Sequence, residues 1–440
     1  MGPVPRDLGK ILFVAALLRF GLLALAYPDP ARVLREDSVG SYMPLAHTLL
    51  AHGRFANTAD APADTLRTPG YPAFLAAAFG LLGDSVFRAM ALQALIALVT
   101  VALVWTLAGE LAGPACAPLA ALVAALDPPS ATHSVLVLTE TLFSALVAAA
   151  YLALWRGARR PSPPLAAAGG LALGLAVLVR PIGLYLCPAA ALFVALAAPA
   201  GTTWSRRALA GALTLALALA PPLAWMARNQ HEGAGFMLSS IEGANLLYYR
   251  AAPVLARVRG LTWQQAMDQC DRDLAQRLHR PVVYAGAPPG PAKELALEIL
   301  RAHPRDAVLM VAEGSVRFWA GAGIADIMLF LNVIEPGHEA RWPERGPAAM
   351  ILIGYALGVL AQGWHLAVLA LAAAGLVAWA RARKLRELAF AAGTLALFTL
   401  LSAGPGAYAR FRIPTVPLVA ALAAAGFRAL RRLPPGDAPR

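Results

Sequence analysis

The sequence predicts an all-α polytopic membrane protein with about twelve transmembrane helices and external juxtamembrane helices. Three observations predict it. Only 14% of the 440 residues are charged and 59% are hydrophobic, whereas a soluble chain carries roughly a quarter charged residues. Apolar stretches near the length of a bilayer crossing recur along the chain. Arginines gather in the short gaps between them, the pattern that orients a protein in a bilayer. The formal charge of +12 is therefore read as membrane orientation, and nucleic acid is excluded as a partner.

The apolar stretches lie near 10–27, 86–108, 114–127, 134–155, 165–180, 183–199, 207–227, 306–331, 347–361, 363–380, 386–403 and 413–430. In the first, Arg6 and Lys10 precede the run and Ala24-Leu25-Ala26 resembles a signal-peptidase site. Arg19 inside the run, and the gain from anchoring the next loop on both sides, favour an uncleaved first helix. The third and ninth stretches are short. The eighth is interrupted by Glu313, Arg317 and Asp326.

The dense basic clusters are RGARR (156–160), SRR (205–207), RARKLR (381–386) and RALRR (428–432). With the N-terminus inside and every stretch crossing, all of them fall on the cytoplasmic side. Omitting the eighth crossing alone would put RARKLR outside. Two long segments then lie outside, 28–85 and 228–305. The expected organisation is an N-terminal transmembrane module (1–227) carrying the loop 28–85, an external helical subdomain (228–305), and a C-terminal transmembrane module (306–440). Within 228–305, Trp263, Ala266, Met267, Cys270 and Leu274 recur at helical spacing and predict a surface helix. Asp268, Asp271 and Asp273 read as its solvated face, and Leu246, Leu247, Tyr248 and Tyr249 as an apolar patch facing the membrane. Cys116, Cys187 and Cys270 show neither disulfide nor zinc spacing.

Polar residues also gather where several apolar stretches begin or end. Asp127-Pro128-Pro129, Thr139-Glu140, Arg180-Pro181, Trp225 with Arg228-Asn229, and Tyr408 with Arg410 and Arg412 all fall at the external ends. Ionisable groups at membrane depth are costly and mark paths or sites. The carboxylates Asp37, Glu140 and Asp127 thus share a face with Arg67, Arg180, Arg228, Arg410 and Arg412. Clustered arginines suit a phosphate through charge-assisted bidentate hydrogen bonds. A nearby carboxylate suits a general base. Transfer chemistry on a lipid-anchored phosphate and transport of an anion both fit these residues.

Several stretches in order carry a family resemblance. EDSVGSYMPLAHTLLAHGRF (36–55) is similar to a first external loop with an acidic residue, a following tyrosine and an Ala-Leu helix. RTPGYPAFLAAAF (67–79), LTETLFSALVAAAYLAL, GLALGLAVLVRPIGL, WMARNQ with SSIEGANLLYYR, and YARFRIPTVPLVAALAAAGF follow. The chain resembles the GT-C membrane glycosyltransferases, specifically the bacterial relatives of protein O-mannosyltransferases and lipid A aminoarabinose transferases, family 39-like. Other members often carry Asp-Glu after the first helix, whereas here the order is Glu36-Asp37. Asp37 matches the catalytic aspartate, because Tyr42 then falls at the usual interval, and Glu36 is the fallback.

The resemblance implies an inverting transfer of a sugar from a polyprenyl-phosphate-linked donor to an acceptor hydroxyl of a lipid, glycan or protein. The active site would be on the external, periplasmic side of a bacterial cytoplasmic membrane. Asp37 and Glu140 would be the catalytic carboxylates, with Arg67, Arg180, Arg228, Arg410 and Arg412 on the donor phosphate. Glu36, Tyr42, Tyr71, His133 and Tyr408 would bind substrate. A divalent metal, Mg2+ or Mn2+, on Asp37 and Glu140 with His133 stays open. So do a flippase of lipid-linked sugar and a surface-polysaccharide polymerase or ligase.

Overall fold

The computed structural model describes residues 5–160, 162–282, 287–334, 348–404 and 406–431. Arg432 of the last basic cluster lies outside them. Among the described residues the chain is helical throughout, with no strand. It is a multi-pass membrane protein. Seven helices are long and apolar enough to cross a bilayer. They are α1 (Arg6–Ala26), α4 (Val86–Ala112), α7 (Glu140–Arg159), α10 (Trp204–His231), α17 (Ala348–Arg381), α18 (Leu385–Ser402), and α19 (Val416–Leu430) with the 3-10 turn Ala409–Thr415 before it. Shorter apolar helices lie at α5 (Ala117–Leu126), α8 (Pro163–Val179) and α9 (Leu186–Leu196). Helix α7 and the 409–430 segment form the centre, 72% and 78% buried, while α1 is 22% buried and lies at the rim.

Two expectations about the spans change. The stretches 347–361 and 363–380 form one continuous 34-residue helix, α17. The gap between them is Gln362 alone, followed by Gly363. A lone glycine costs a helix about 1 kcal/mol and does not reverse the chain. At 1.5 Å per residue, α17 is about 51 Å long, enough for one crossing with a projecting turn.

The eighth stretch is a bent pair, α15 (Pro304–Ala320) and α16 (Ile324–Phe330), meeting at 57°. Both of its ends lie on the face that carries the long loops. Asp306, near the start, pairs with Arg257 of the 228–305 segment at 3.3 Å. Asn332, just past the end, donates to Asp29 at 2.6 Å. The pair is thus bent between two anchors on that face, while α17 replaces two expected crossings with one continuous helix.

Helices α17 and α19 pack backbone against backbone. A Cβ placed on Gly426 would fall 1.9 Å from the Leu371 carbonyl oxygen, and one on Gly375 would fall 2.0 Å from that of Leu422. Small residues at the crossing are what lets membrane helices approach this closely. Arg19 is buried, and its guanidinium donates to the carbonyls of Ala15 and Ala125. It therefore fastens α1 to α5.

Outside the spans, α2 (Met43–His52) and α3 (Gly70–Leu82) lie together on the loop face, where His47 donates to Asp84 at 3.0 Å. In the 228–305 segment, α11 (Ile241–Leu246), α12 (Ala252–Arg259), α13 (Trp263–Leu278) and α14 (Pro289–Ala302) enclose their own apolar core of Leu247, Tyr248, Leu255, Ala266, Cys270, Leu274 and Leu295. Leu247 and Tyr248 are fully buried in it, not laid against a membrane. The expected helix begins with a capping box, Thr262 exchanging hydrogen bonds with Gln265. Asp271 is more than a solvated charge, because it accepts the Tyr248 hydroxyl. Burial pushes the Asp271 carboxyl up, against that bond.

Candidate functional site

A π-helical turn, Ser38–Tyr42, follows Asp37 and swings the chain into α2. The turn is held from behind. Ser38 Oγ donates to the Val137 carbonyl at 2.7 Å, and the Val137 amide donates to Val33 at 2.9 Å. The loop leading into Glu140 and the segment carrying Asp37 are thereby one unit. Gln93 of α4, wholly buried, donates to the carbonyls of His133, Ser134 and Leu136 and accepts the Tyr71 hydroxyl at 2.9 Å. These bonds satisfy a buried non-helical backbone that would otherwise be costly in a membrane.

Two ion pairs stand on this frame. Arg67 Nη2 meets Asp37 Oδ1 at 2.6 Å, its Nε donates to Ser41 at 3.1 Å, and its guanidinium lies 5.1 Å from the Tyr42 ring centre. Although burial disfavours its charge, Tyr42 and Asp37 hold the Arg67 pKa above the ordinary value. Burial pushes the Tyr42 phenol up, against the pull of Arg67. Arg180 Nη1 meets Glu140 Oε1 at 2.5 Å and donates to Thr139 Oγ1 at 3.1 Å. The two carboxylates differ in access: the side chain of Asp37 is 37% exposed, that of Glu140 only 2%.

Arg410 completes the cluster. Its guanidinium lies 4.9 Å from the Phe411 ring centre, and that of Arg180 lies 5.3 Å from the same ring. Arg410 is within electrostatic reach of Glu140, Asp37 and Asp326. It forms no ion pair among the described residues, and its buried Nε has no hydrogen-bond partner. Arg35 adds a fourth guanidinium. Burial pulls its pKa below the ordinary value, against Asp326 and with a further push from Arg410. The site therefore sets four guanidinium groups against three carboxylates and leaves Arg410 uncommitted.

Several expected residues stand elsewhere. Arg412 is buried, and its guanidinium donates to the carbonyls of Phe318 (2.6 Å) and Gly321 (2.8 Å), so it braces the α15–α16 break. Arg228 donates to the Asp64 carbonyl at 2.6 Å and lies 4.6 Å from the Trp225 ring centre, bracing the first loop. Burial pushes the Asp64 carboxyl up, against the Arg67 amide that it accepts. Tyr71 is wholly buried against Gln93 and edge-on to Tyr42. Glu140, within the cluster, is almost fully enclosed and paired with Arg180. Glu36 is exposed, with no ion pair among the described residues. Tyr408 is exposed and stacked on Phe411. His133 is buried, its Nδ1 donating to the Pro129 carbonyl at 2.9 Å.

No group of three or more His, Cys, Asp or Glu side chains among the described residues is placed to hold a metal ion. Asp37 and Glu140 each face a guanidinium instead, so these residues do not fit the metal set considered from the sequence. The site also holds Arg35 and Asp326, which were not singled out for it. A carboxylate inside an apolar stretch beside Gly321-Ala322-Gly323 was the signal for Asp326.

Residues 66–225 match the dolichyl-phosphate-mannose-protein mannosyltransferase family. No curated protein matches the sequence. The fold is similar to that of the oligosaccharyltransferase AglB from Archaeoglobus fulgidus. Against AglB in complex with an inhibitory peptide and a dolichol-phosphate, the TM-score is 0.52 at 15% identity, covering 98% of this chain and 52% of AglB. Against the apo form, it is 0.53 at 17% identity, covering 97% and 52%. The chain thus spans about half the length of AglB. ArnT from Cupriavidus metallidurans bound to undecaprenyl phosphate aligns with a TM-score of 0.42 at 15% identity, over 97% of this chain and 76% of ArnT. The chain thus shares its overall fold with AglB, and residues 66–225 are similar to the dolichyl-phosphate-mannose-protein mannosyltransferase family.

Proposed function

We propose that the protein is an inverting glycosyltransferase of the bacterial cytoplasmic membrane. It moves a sugar from a polyprenyl-phosphate-linked donor to an acceptor hydroxyl at the external face. The observation that carries this reading is Arg410, a guanidinium with a buried, unpartnered Nε beside Arg67 and Arg180, which are each paired with a carboxylate. An arginine left uncommitted at membrane depth is matched by an anion carried on a lipid. The solved AglB structure with dolichol-phosphate supports a lipid phosphate as ligand of this fold.

The donor phosphate rests on Arg410, with Arg180 beside it on the Phe411 ring. Negative charge grows on the leaving oxygen as the C1–O bond breaks, and the guanidinium groups stabilise it without giving up a proton. The acceptor hydroxyl approaches the opposite face of the sugar, and Asp37, the accessible carboxylate, takes its proton as the new bond forms. Glu140 keeps Arg180 in place, and Arg67 orients Asp37.

The test is an assay on purified protein with undecaprenyl phosphate carrying a panel of hexoses and pentoses. Release of free undecaprenyl phosphate that depends on a hydroxyl acceptor supports transfer. Movement of the intact lipid across a vesicle membrane without release would replace it with the flippase reading.

A further inference from the structure

The break between α15 and α16 is built with unusual care. Phe318 and Gly321 carbonyls take the Arg412 guanidinium. The Trp319 carbonyl takes His365 Nε2 at 2.7 Å, the Ala320 carbonyl takes Gln362 Nε2 at 2.8 Å, and the Ala322 amide donates to Gln362 Oε1 at 3.2 Å. Five backbone groups freed by the break therefore meet a side chain, as a low-dielectric setting demands. The chain then turns at Gly323, whose φ of 76° suits glycine. A Cβ there would lie 3.2 Å from Pro129 and 3.4 Å from Ala409, the neighbour of Arg410. The break sets the first turn of α16, with Asp326, against the donor site.

Asp326 differs from the other two carboxylates. Asp37 and Glu140 each hold an arginine at hydrogen-bond distance. Asp326 has no arginine at ion-pair distance among the described residues, and its side chain is 21% exposed. Its nearest charged or titratable neighbour is His133, Nε2 at 4.0 Å from Oδ1. The His133 ring is locked by Nδ1 on Pro129, wholly buried, with Nε2 unpartnered and turned to Asp326.

We propose that Asp326 is the carboxylate that accepts hydroxyls of the sugar carried on the donor phosphate. This rests on the reading of Arg410 as the phosphate site. A sugar whose anomeric phosphate sits on Arg410 carries its ring hydroxyls beside that phosphate, and Asp326 is within electrostatic reach of Arg410. An ionised carboxylate offers acceptors only, which matches hydroxyl donors. It adds little for a bare lipid phosphate, which it repels. Asp326 therefore sets which sugar is taken, while Arg410 sets that a phosphate is taken.

The experiment measures binding of bare undecaprenyl phosphate, and of undecaprenyl phosphate carrying the hexose and pentose panel, to wild type, Asp326→Asn, Asp326→Glu and Arg410→Ala. Wild type should prefer one sugar-bearing lipid over the bare lipid. Asp326→Asn should lose that lipid by roughly 10- to 100-fold, the scale of a hydrogen bond to a charged group, while binding of bare undecaprenyl phosphate does not weaken. Arg410→Ala should weaken both. Asp326→Glu, which keeps the charge one methylene further out, should reorder the panel, and it carries the test if the Asn variant does not fold. Equal loss of bare and sugar-bearing lipid in Asp326→Asn, no loss, or an unchanged order in Asp326→Glu overturns the proposal. Wild type that binds no undecaprenyl phosphate overturns the reading of Arg410 itself, a separate result.

Discussion

Asp37 and Glu140 both sit beside an arginine, and burial separates their roles. Asp37 reaches solvent, and Glu140 does not. Asp37→Asn keeps size and removes basicity, so transfer should fall by roughly 100-fold or more, with donor binding kept, as measured by single-turnover kinetics. Glu36→Gln should stay near wild type in the same assay, and a dead Glu36→Gln with an active Asp37→Asn would move the base by one residue. Glu140→Gln should act differently. It leaves Arg180 without its counter-charge, and breaking a buried pair costs about 3–5 kcal/mol, so the thermal midpoint should drop along with the rate. Arg410→Ala should raise the dissociation constant for the lipid phosphate as well as slow transfer, because the contact exists before the transition state and strengthens in it.

At the scale of elements, the bent pair and the α17–α19 crossing carry the specific geometry. Arg412→Met would leave the carbonyls of Phe318 and Gly321 without a donor, at about 1–3 kcal/mol each. The expected result is a lower thermal midpoint in detergent and a looser break, seen as faster proteolysis between α15 and α16. Retained stability and protection would remove Arg412 from its bracing role. Gly426→Leu would drive a side chain into the Leu371 carbonyl. Overpacking of this kind costs about 1–3 kcal/mol and often more where backbone cannot yield, so the variant should express poorly. Gly363→Ala, with nothing within 4 Å of the new Cβ, should be neutral or slightly stabilising, as the Gly-to-Ala helix preference predicts.

At the scale of the whole molecule, the fold gathers its charges on one face and leaves the other to the basic clusters. Single cysteines placed at Arg305 and Asn332 bracket the bent pair. A membrane-impermeant thiol reagent should label both from one side, and a cysteine at Arg383 from the other. Labelling of 305 and 332 from opposite sides would make the pair a true crossing and reverse the orientation of everything after it. The 228–305 segment, with its own apolar core beside the site, meets the first loop through Ser239 and Ser240, which bond to Leu66 and Thr65. These bonds hold it next to the strip of chain that carries Arg67.

The sequence by itself determined what local hydropathy and charge can determine. It showed a membrane protein, the apolar stretches, the carboxylate-bearing first loop, and Arg67, Arg180 and Arg410 as members of a single charged face. These follow from transfer energies that each segment carries alone. Tertiary structure decided which charges are spent. Arg412 and Arg410 are two residues apart and alike in sequence, yet one is consumed by carbonyls of α15 and the other is left uncommitted. It also decided that the eighth stretch bends, its far end tied by a bond between Asn332 and Asp29, 303 residues apart in sequence. That bend brings Asp326 to the site. Pairing and bending depend on contacts between distant segments, and no window of sequence contains both partners.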